Sequence, residues 1–269
     1  MNGRDVLVYL SLKYCGDWKR VMEAIRQRES ISAQEAEATI QKVHCPYVTL
    51  VDSFYPESLK HSFEPPLVLY YYGNFSLLEK EANCISYIGS REASAYGLEK
   101  AKEIAGQLAQ RGYVVVSGLA RGIDAAATEG ALKFHGGAIG VLGSGIDLCY
   151  PSTSKELYEK LKKEGLLLSE YPFDTPPEPS YFPRRNRIVA SLSKGLVVGE
   201  ATRKSGTLIT VSYALGFDKE IGCVPALAGS DSACNLLIKE GAWLIEDAND
   251  VDLMMGRINE DDHLHGEFK

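Results

Sequence analysis

From residue 84 onward, short runs of consecutive apolar residues alternate with stretches that have helical periodicity. Each run is apolar at every position rather than at every second one, which is typical of strands buried on both faces of a parallel sheet. The predicted strands are residues 84–88, 113–116, 138–142, 166–169, 196–198, 221–224 and 243–245. The predicted helices are residues 96–110, 123–134, 154–163, 187–192, 207–215 and 234–240. This order predicts an α/β fold with a Rossmann-like, doubly wound, mostly parallel sheet.

The residues before and after this pattern have a different character. Apolar positions recur at three- and four-residue steps before residue 46, and Ser32 followed by Glu35 predicts a capping box at a helix start. A turn-rich stretch follows, with an edge-like apolar run at 67–73, and the last residues are acidic and weakly apolar. The predicted organisation is a small helical domain at 1–45, a connecting segment at 46–83, a Rossmann-like domain at 84–255 and a flexible tail at 256–269.

Composition excludes several classes of protein. With 45% hydrophobic and 24% charged residues, the chain has enough apolar content for one or two globular domains. Its six cysteines form no Cys-x-x-Cys pair and its five histidines are scattered, so we predict neither a disulfide framework nor a metal site. No stretch approaches the roughly 18 apolar residues of a membrane span, and the N-terminus lacks a secretory cleavage site. We expect a cytoplasmic protein with no membrane segment.

The net charge of −7 would ordinarily argue against a nucleic-acid ligand, but the charge is not spread evenly along the chain. Residues 180–210 contain six basic and one acidic side chain, whereas the rest of the chain is acidic. Exposed charges farther apart than a Debye length, about 8 Å in physiological salt, largely fail to cancel one another. A local cationic surface can therefore attract phosphate, although a chance cluster of solvated arginines would give the same count.

The predicted strands end in loops of small residues and arginine. Ligands of doubly wound sheets bind outside the carboxyl ends of the strands, where small residues let backbone N–H groups approach a phosphate and arginine adds a charged fork. Tight turns of purely structural origin have a similar composition. The loops are Gly89-Ser90-Arg91, Ser117-Gly118-Leu119-Ala120-Arg121-Gly122 and Gly143-Ser144-Gly145. Together they predict an anion cradle.

Residues 181–187 read YFPRRNR. This segment combines an aromatic surface at Phe182 with Arg184, Arg185, Asn186 and Arg187, the combination by which proteins stack bases and contact phosphates of single-stranded nucleic acid. The alternative interpretation is that the aromatic residues fill the core and the arginines form ordinary surface ion pairs.

Cofactor and nucleotide motifs are incomplete. The loop at Gly143 lacks the third glycine of a dinucleotide fingerprint, and GEATRKS at 199–205 has Arg203 where a P-loop has glycine. We therefore expect no NAD, FAD or ATP and no other cofactor. Asp124, Asp147, Glu170 and Glu200 lie near strand ends, but nothing in their spacing marks an acid or base, so we assign no catalytic residue.

Seven segments occur in the same order as in a known family: IGSREASAYG, SGLARGIDAAAT, VLGSGIDLCYP, LLLSEYPF, YFPRRNRIVASLS, EATRKSGTLIT and NLLIKEGA. The chain resembles the DNA-processing protein A (DprA/Smf) family from about residue 48 to residue 248. The resemblance implies an extended Rossmann domain preceded by a helical SAM-like domain. It also implies a homodimer that binds single-stranded DNA, protects incoming strands during natural transformation and hands them to the RecA recombinase. Enzymatic activity is not characteristic of the family.

The resemblance also implies which residues form the binding pocket. Arg91, Arg121, Phe182, Arg185 and Arg187 would contact the DNA, with Arg184 and Lys204 at its periphery. The residues implied to shape the backbone of the pocket are Gly89, Ser90, Ser117, Gly118, Gly122, Gly143, Gly145, Ser205 and Gly206. A departure from the family pattern is Pro179, which stands where a basic residue is frequent.

Two other functions remain open at this point. A Rossmann-like nucleotide hydrolase of the phosphoribohydrolase type would use the same cradle for a nucleoside monophosphate. That class usually has a PGGxGT-type loop with a downstream Glu, whereas this chain has KSGTLIT with Glu200 ahead of it. A scaffold that binds only proteins would present the cationic segment to an acidic partner. The sequence favours the binder of single-stranded DNA over both.

Overall fold

The computed structural model describes residues 1–134 and 137–257. The helices of this part are α1 (Gly3–Lys13), α2 (Trp18–Arg26), α3 (Ala33–Ile40), α4 (Glu57–Lys60), α5 (Ala95–Gln110), α6 (Ile123–Leu132), α7 (Lys155–Glu164), α8 (Tyr181–Ser191), α9 (Thr207–Gly216), α10 (Ala233–Lys239) and α11 (Ala248–Met254). Its strands are β1 (Tyr47–Thr49), β2 (Val68–Gly73), β3 (Cys84–Gly89), β4 (Val114–Ser117), β5 (Ala138–Val141), β6 (Leu166–Ser169), β7 (Gly195–Glu200), β8 (Glu220–Cys223) and β9 (Trp243–Leu244). Two 3₁₀ segments lie at Phe75–Asn83 and Ser152–Ser154.

The strands form one sheet in the order β1-β2-β6-β5-β4-β3-β7-β8-β9. All pairings from β6 to β9 are parallel, and β1 and β2 add an antiparallel edge. The chain winds outward from β3 through β4, β5 and β6, then returns to the other side of β3 with β7. The point between β3 and β7 is therefore the topological switch point, where doubly wound sheets bind ligands. The predicted doubly wound, mostly parallel sheet is confirmed.

Each face of the sheet is covered by its own hydrophobic core. One core contains residues of α1, α5, α6, α7 and α11, and the other contains residues of α4, α8, α9 and α10. Strand β4 illustrates why its sequence has no polar alternation: Val115 faces the first core while Val114 and Val116 face the second. Because helices cover both faces, a ligand reaches the sheet at the strand ends.

The largest error in the predicted elements concerns α8. The sequence predicted a helix from residue 187, but α8 begins at Tyr181 and includes the whole YFPRRNR segment. Pro183 lies in the first turn, where the backbone N–H groups have no intrahelical partner, so its missing N–H costs no hydrogen bond. The arginines consequently point in different directions around a helix instead of lining an extended loop.

The remaining predictions at the ends of the chain have mixed outcomes. Three helices occupy the region 1–45, and the Ser32 side chain caps α3 by accepting from the Glu35 N–H at 3.5 Å. The segment 46–83 contributes β1 and β2 to the sheet. The tail predicted at 256–269 lies outside the described residues from position 258 onward. Within the described residues, no helix is both long enough and apolar enough to cross a membrane.

Candidate nucleic-acid interface

A cavity of about 570 Å³ opens at the switch point between β3 and β7. It is lined by the turn after β3, the loop after β4, the first turns of α8 and the segment that leads from β7 into α9. The predicted site residues in its lining are Gly89, Ser90, Arg91, Gly118, Arg121, Phe182, Arg185, Asn186, Ser205 and Gly206. Four segments that are distant in sequence therefore meet at the carboxyl ends of the central strands. We call this space the arginine cavity.

Asp124, in the first turn of α6, joins the first two loops. One oxygen of its carboxylate accepts from the Gly89 N–H at 3.2 Å and the other accepts from the Gly118 N–H at 3.0 Å. Burial raises the pKa of this carboxyl, while the nearby Arg185 guanidinium opposes the shift. Since both oxygens hold backbone groups, Asp124 fixes the shape of the cavity. Sequence analysis noted Asp124 among the carboxylates near strand ends and did not include it in the site.

Arg185 forms the floor of the arginine cavity and is only 4% exposed. Its Nη1 donates to the carbonyls of Gly118 and Val141 at the ends of β4 and β5, and its Nε donates to the Asn186 side chain at 3.2 Å. A Cβ atom at Gly118 would lie 2.5 Å from Nη2 of Arg185, so only glycine lets the guanidinium lie against this loop. No carboxylate in the described part of the chain forms an ion pair with Arg185.

Phe182 lies one helical turn before Arg185 on α8 and supplies an aromatic wall. A Cβ atom at Gly143 would lie 2.9 Å from the Phe182 ring, so the ring packs directly on that loop. The guanidinium of Arg91 lies 5.6 Å from the centre of the same ring, within the range of a cation–π contact. The exposed Tyr150 ring lies 5.5 Å from Phe182 at an angle of 37°. Tyr150, which sequence analysis missed, extends the aromatic surface away from the cavity.

The third arginine of the cavity, Arg121, lies on its outer rim. Arg121 donates to the Glu92 carboxylate at 3.1 Å, and both side chains are largely exposed. An exposed pair of this kind contributes at most about 1 kcal/mol, because water and salt compete with it. Arg121 can therefore exchange this partner for a phosphate at little cost.

The start of α9 forms another wall of the arginine cavity. Its first turn brings Thr207 and Thr210 into the lining, together with Thr202 from the end of the β7 loop. Gly206 at this helix start has no capping side chain, while the Ser205 hydroxyl accepts from the Thr207 N–H at 3.2 Å. The positive end of the helix dipole lies at this wall. Sequence analysis included Ser205 and Gly206 but not the three threonines, although a helix start directly after a strand was a signal for them.

Arg184 and Arg187 do not line the arginine cavity. Arg187 is 1% exposed and donates to both oxygens of Glu170 at 2.8 and 2.7 Å, and to the backbone carbonyls of Phe63, Glu64 and Arg184. Arg184 pairs with the Glu64 carboxylate. Both guanidinium groups thus attach α8 to the end of β6 and to the segment before β2. Their placement on a different side of α8 explains why residues so close in sequence are separated in space.

Five other predicted residues lie outside the lining. Ser117 is buried and bonds the Thr128 hydroxyl at 2.8 Å. Gly122 begins α6, Gly143 lies beneath Phe182, and the Gly145 N–H donates to the Thr175 carbonyl at 2.8 Å. Lys204 is exposed in the turn before α9. Gly122 and Gly143 adjoin the cavity, whereas Gly145 and Lys204 have no role in its geometry.

The last two features of the site are the contacts of Glu200 and the side chains that could hold a metal ion. Glu200, at the end of β7, accepts from the Ser94 hydroxyl at 2.6 Å and from the Ser94 N–H at 3.1 and 3.2 Å. Within residues 1–134 and 137–257, no group of three or more His, Cys, Asp or Glu residues is arranged to hold a metal ion.

The profile of the family described as DNA recombination-mediator protein A matches residues 46–255. This chain belongs to that family. The resemblance inferred from the strand-end motifs is thereby confirmed, and the family's matched region includes every wall of the arginine cavity.

Individual relatives agree with the assignment. The chain is 36% identical over 244 residues to Protein Smf of Synechocystis sp. and 37% identical over 208 residues to the DNA processing protein DprA of Streptococcus pneumoniae. These matches cover 89% and 77% of this chain but 61% and 73% of the respective relatives, so the chain spans less than two thirds of the Synechocystis protein.

Two solved structures have the same fold. The X-ray structure of DprA from Streptococcus pneumoniae superposes with a TM-score of 0.76 at 32% identity and covers 92% of both chains. DNA processing protein A from Helicobacter pylori, described for its single-stranded DNA binding mode, superposes with a TM-score of 0.72 at 29% identity, covering 80% of this chain and 99% of that one.

Proposed function

We propose that this protein binds single-stranded DNA through the arginine cavity. The observation that carries the proposal is Arg185, a buried guanidinium that faces the cavity without an ion-pair partner among the described residues. The single-stranded DNA binding of the Helicobacter pylori relative supports it. Arg91 and Arg121 on the rim add two further cations on the path of an entering phosphate.

A phosphate group meets the electrostatic requirement of this site. Burial lowers the pKa of Arg185 to about 10, with Asp124 opposing the shift and Arg91 adding to it. The guanidinium therefore stays protonated at neutral pH although water solvates it poorly. Removing an ion from water costs several kcal/mol unless a counter-charge compensates. Phosphate oxygens supply that charge and accept two parallel hydrogen bonds from one guanidinium.

The aromatic wall favours single strands over duplex DNA. An unpaired base next to the bound phosphate can stack on Phe182 and on the exposed Tyr150 ring beside it. Such stacking contributes about 1–3 kcal/mol per base and does not depend on which base is present. Bases in a duplex are already stacked and paired, so we expect duplex DNA to bind more weakly.

The test compares variants of Arg91 and Phe182 in a salt titration with fluorescent oligo-dT. Arg91→Ala should weaken binding and lower the slope of log affinity against log salt concentration by about 0.7, the value for one phosphate contact on a single strand. Phe182→Leu should weaken binding roughly fivefold or more with the slope unchanged. The matched control is Arg26→Ala, an exposed arginine at the end of α2. Arg26→Ala should bind as the parent protein does, and if Arg91→Ala and Phe182→Leu do so as well, the proposal is wrong.

We extend the proposal to the role of the complex. By its family, the protein protects incoming single strands in the cytoplasm, acts as a homodimer and loads the RecA recombinase in natural transformation or recombination. Two cavities in one dimer would bind the same strand. Once the first cavity has bound, the second meets the strand at a high effective concentration, so each site can be weak on its own.

Light scattering at increasing protein concentration tests whether the protein forms a dimer. Filament formation by RecA on single strands coated with a competing binding protein tests the loading, and no acceleration would contradict it.

We also propose that the protein binds DNA without catalysing a reaction on it. The two carboxylates that line the arginine cavity support this, since Asp124 holds two backbone N–H groups and Glu92 pairs with Arg121. Glu200, the acidic residue at the end of β7, holds Ser94. Incubation with nucleoside monophosphates, followed by chromatography, should release no free base. Release that depends on Glu200 would instead identify a nucleotide hydrolase.

A further inference from the structure

A second cavity of about 780 Å³ adjoins the arginine cavity at the carboxyl ends of β7 and β8. Thr202 lines both cavities, whereas Glu200 and its partner Ser94 line only the second one. The second cavity has no counterpart in the sequence predictions. Its walls are formed by Tyr96 at the start of α5 and by the loop 225–228 after β8. We call it the apolar cavity.

The apolar cavity presents hydrophobic surface to solvent. The Tyr96 side chain is 49% exposed and Leu227 is 86% exposed, an unusual value for a leucine beside a concave surface. Both residues could be covered without any rearrangement of the core. Exposed apolar surface of this kind marks a place where a ligand or partner binds.

The walls of the apolar cavity are held in place by hydrogen bonds. The Asn235 side chain accepts from the Ala226 N–H at 3.0 Å and donates to the Ala226 carbonyl at 2.9 Å. The Tyr96 hydroxyl donates to the Pro225 carbonyl at 3.4 Å, across the gap between the two walls. A cavity with fixed walls loses little conformational entropy when a rigid, flat group enters it.

Charge separates the roles of the two cavities. The arginine cavity contains three arginines, whereas the described residues that line the apolar cavity include no lysine or arginine and two carboxylates, Glu200 and Asp231. A phosphate would be repelled there. An uncharged, flat group on the same strand would not be repelled. In a DNA strand, that group is a nucleobase.

We propose that the apolar cavity is a nucleobase subsite, which takes a base of the same strand whose phosphate lies against Arg185. The inference rests on the proposed binding of single-stranded DNA and adds the position of a second base. The backbone crosses the shared border at Thr202, and the base enters between the Tyr96 ring and the loop that carries Leu227. Discrimination against duplex then has a second source, because a paired base cannot turn into the cavity.

The experiment measures affinity for oligo-dT and for an otherwise identical strand with abasic sites. Tyr96→Leu should bind oligo-dT roughly fivefold or more weakly, because the stacking surface is lost, with an unchanged salt slope. Leu227→Ser should have a smaller effect in the same direction. On the abasic strand, both variants should bind as the parent protein does. The matched control is Leu215→Ser, a 57% exposed leucine of α9 that lines neither cavity.

Arg91→Ala separates the two proposals. If Arg91→Ala binds weakly while Tyr96→Leu and Leu227→Ser match the parent protein on oligo-dT, the base subsite is wrong and the arginine cavity stands. If Tyr96→Leu weakens binding equally on both strands, Tyr96 acts through the fold and the base subsite is again wrong. If Arg91→Ala and Phe182→Leu also match the parent protein, the binding of single-stranded DNA itself is wrong, and the subsite fails with it.

Discussion

Arg185 and Arg187 are two residues apart, both are buried, and their environments are opposite. Arg187 has a bidentate carboxylate partner in Glu170, whereas Arg185 donates hydrogen bonds only to carbonyl oxygens and the Asn186 side chain. The nearby Asp124 carboxylate interacts with Arg185 only through its charge, because both of its oxygens accept from backbone N–H groups. Burial of a charge that no ion pair compensates opposes folding. A ligand that supplies a negative charge stabilises an arginine in such an environment. This is the physical basis for assigning phosphate to Arg185.

Replacing Arg185 by methionine should therefore separate binding from stability. Arg185→Met removes a poorly solvated charge and retains most of the volume, but it leaves the carbonyls of Gly118 and Val141 without their donor. The two effects oppose each other, so we expect the free energy of unfolding to change by no more than about 2 kcal/mol. Affinity for oligo-dT should fall tenfold or more, since a charge-assisted contact is worth about 1.5–3 kcal/mol.

Urea denaturation and anisotropy on the same samples measure both quantities. Arg185→Lys is the matched control, because it keeps the charge but not the planar fork, and it should lie between the parent protein and Arg185→Met in affinity. Unchanged affinity in folded Arg185→Met would contradict the role of this residue.

At the scale of elements, sequence analysis was accurate where strands are dry and inaccurate where a helix begins in a polar region. The four-residue strand β6 agrees with its predicted bounds because an apolar run this short between turn residues fits a buried strand and is too short for a helix. The start of α8 was placed six residues too late, because Pro183 and the polar residues after it resemble a loop. Burial of Arg187 could not be predicted, since its partner Glu170 belongs to another element.

The candidate site follows the same division. Gly89, Gly118, Arg91 and Arg121 were predicted, because loop position in a doubly wound sheet depends only on strand order. Arg185 was predicted from the YFPRRNR segment and the family resemblance. The wall formed by α9 and the aromatic extension at Tyr150 were missed, because they depend on how helices pack across the switch point. Distances between elements are not encoded in any local pattern of residues.

The ion pair between Arg187 and Glu170 should be the main attachment of α8 to the sheet. Arg187→Met leaves the Glu170 carboxylate buried with only the longer contact to the Arg184 guanidinium at 3.7 Å, which should lower the free energy of unfolding by about 3 kcal/mol. The double variant Arg187→Met with Glu170→Leu should recover much of that loss, because no unpaired charge remains. Urea unfolding followed by circular dichroism measures both. A single variant as stable as the parent protein would contradict the attachment.

At the scale of the whole molecule, a surface contact connects the region before β1 to the loop after β5. The Nε2 atom of His44 lies 2.8 Å from the Asp147 carboxylate, whose other oxygen accepts from the Tyr72 hydroxyl at 2.6 Å. The imidazole also stacks on Phe173, with ring centres 4.5 Å apart. The N-terminal helices are thus connected to the sheet by a titratable group, and the connection should depend on pH.

The hydrogen bond from His44 to Asp147 raises the pKa of His44, with burial opposing the shift and the Lys42 carbonyl and Asp174 adding to it. Because the folded pKa lies above the unfolded value of about 6.5, the contact stabilises fully below that pH and its contribution is lost as pH rises through the folded pKa. His44 is 57% exposed, so the effect should be below about 1 kcal/mol.

At about pH 5.5, the parent protein should have a higher free energy of unfolding than His44→Gln, and the difference between the two should be smaller at about pH 8. Urea unfolding at both values measures this, with Asp147→Asn as the matched control that removes the carboxylate and should abolish the same pH dependence. A difference that stays constant or grows toward high pH would mean that the histidine connects the two regions by ring stacking alone.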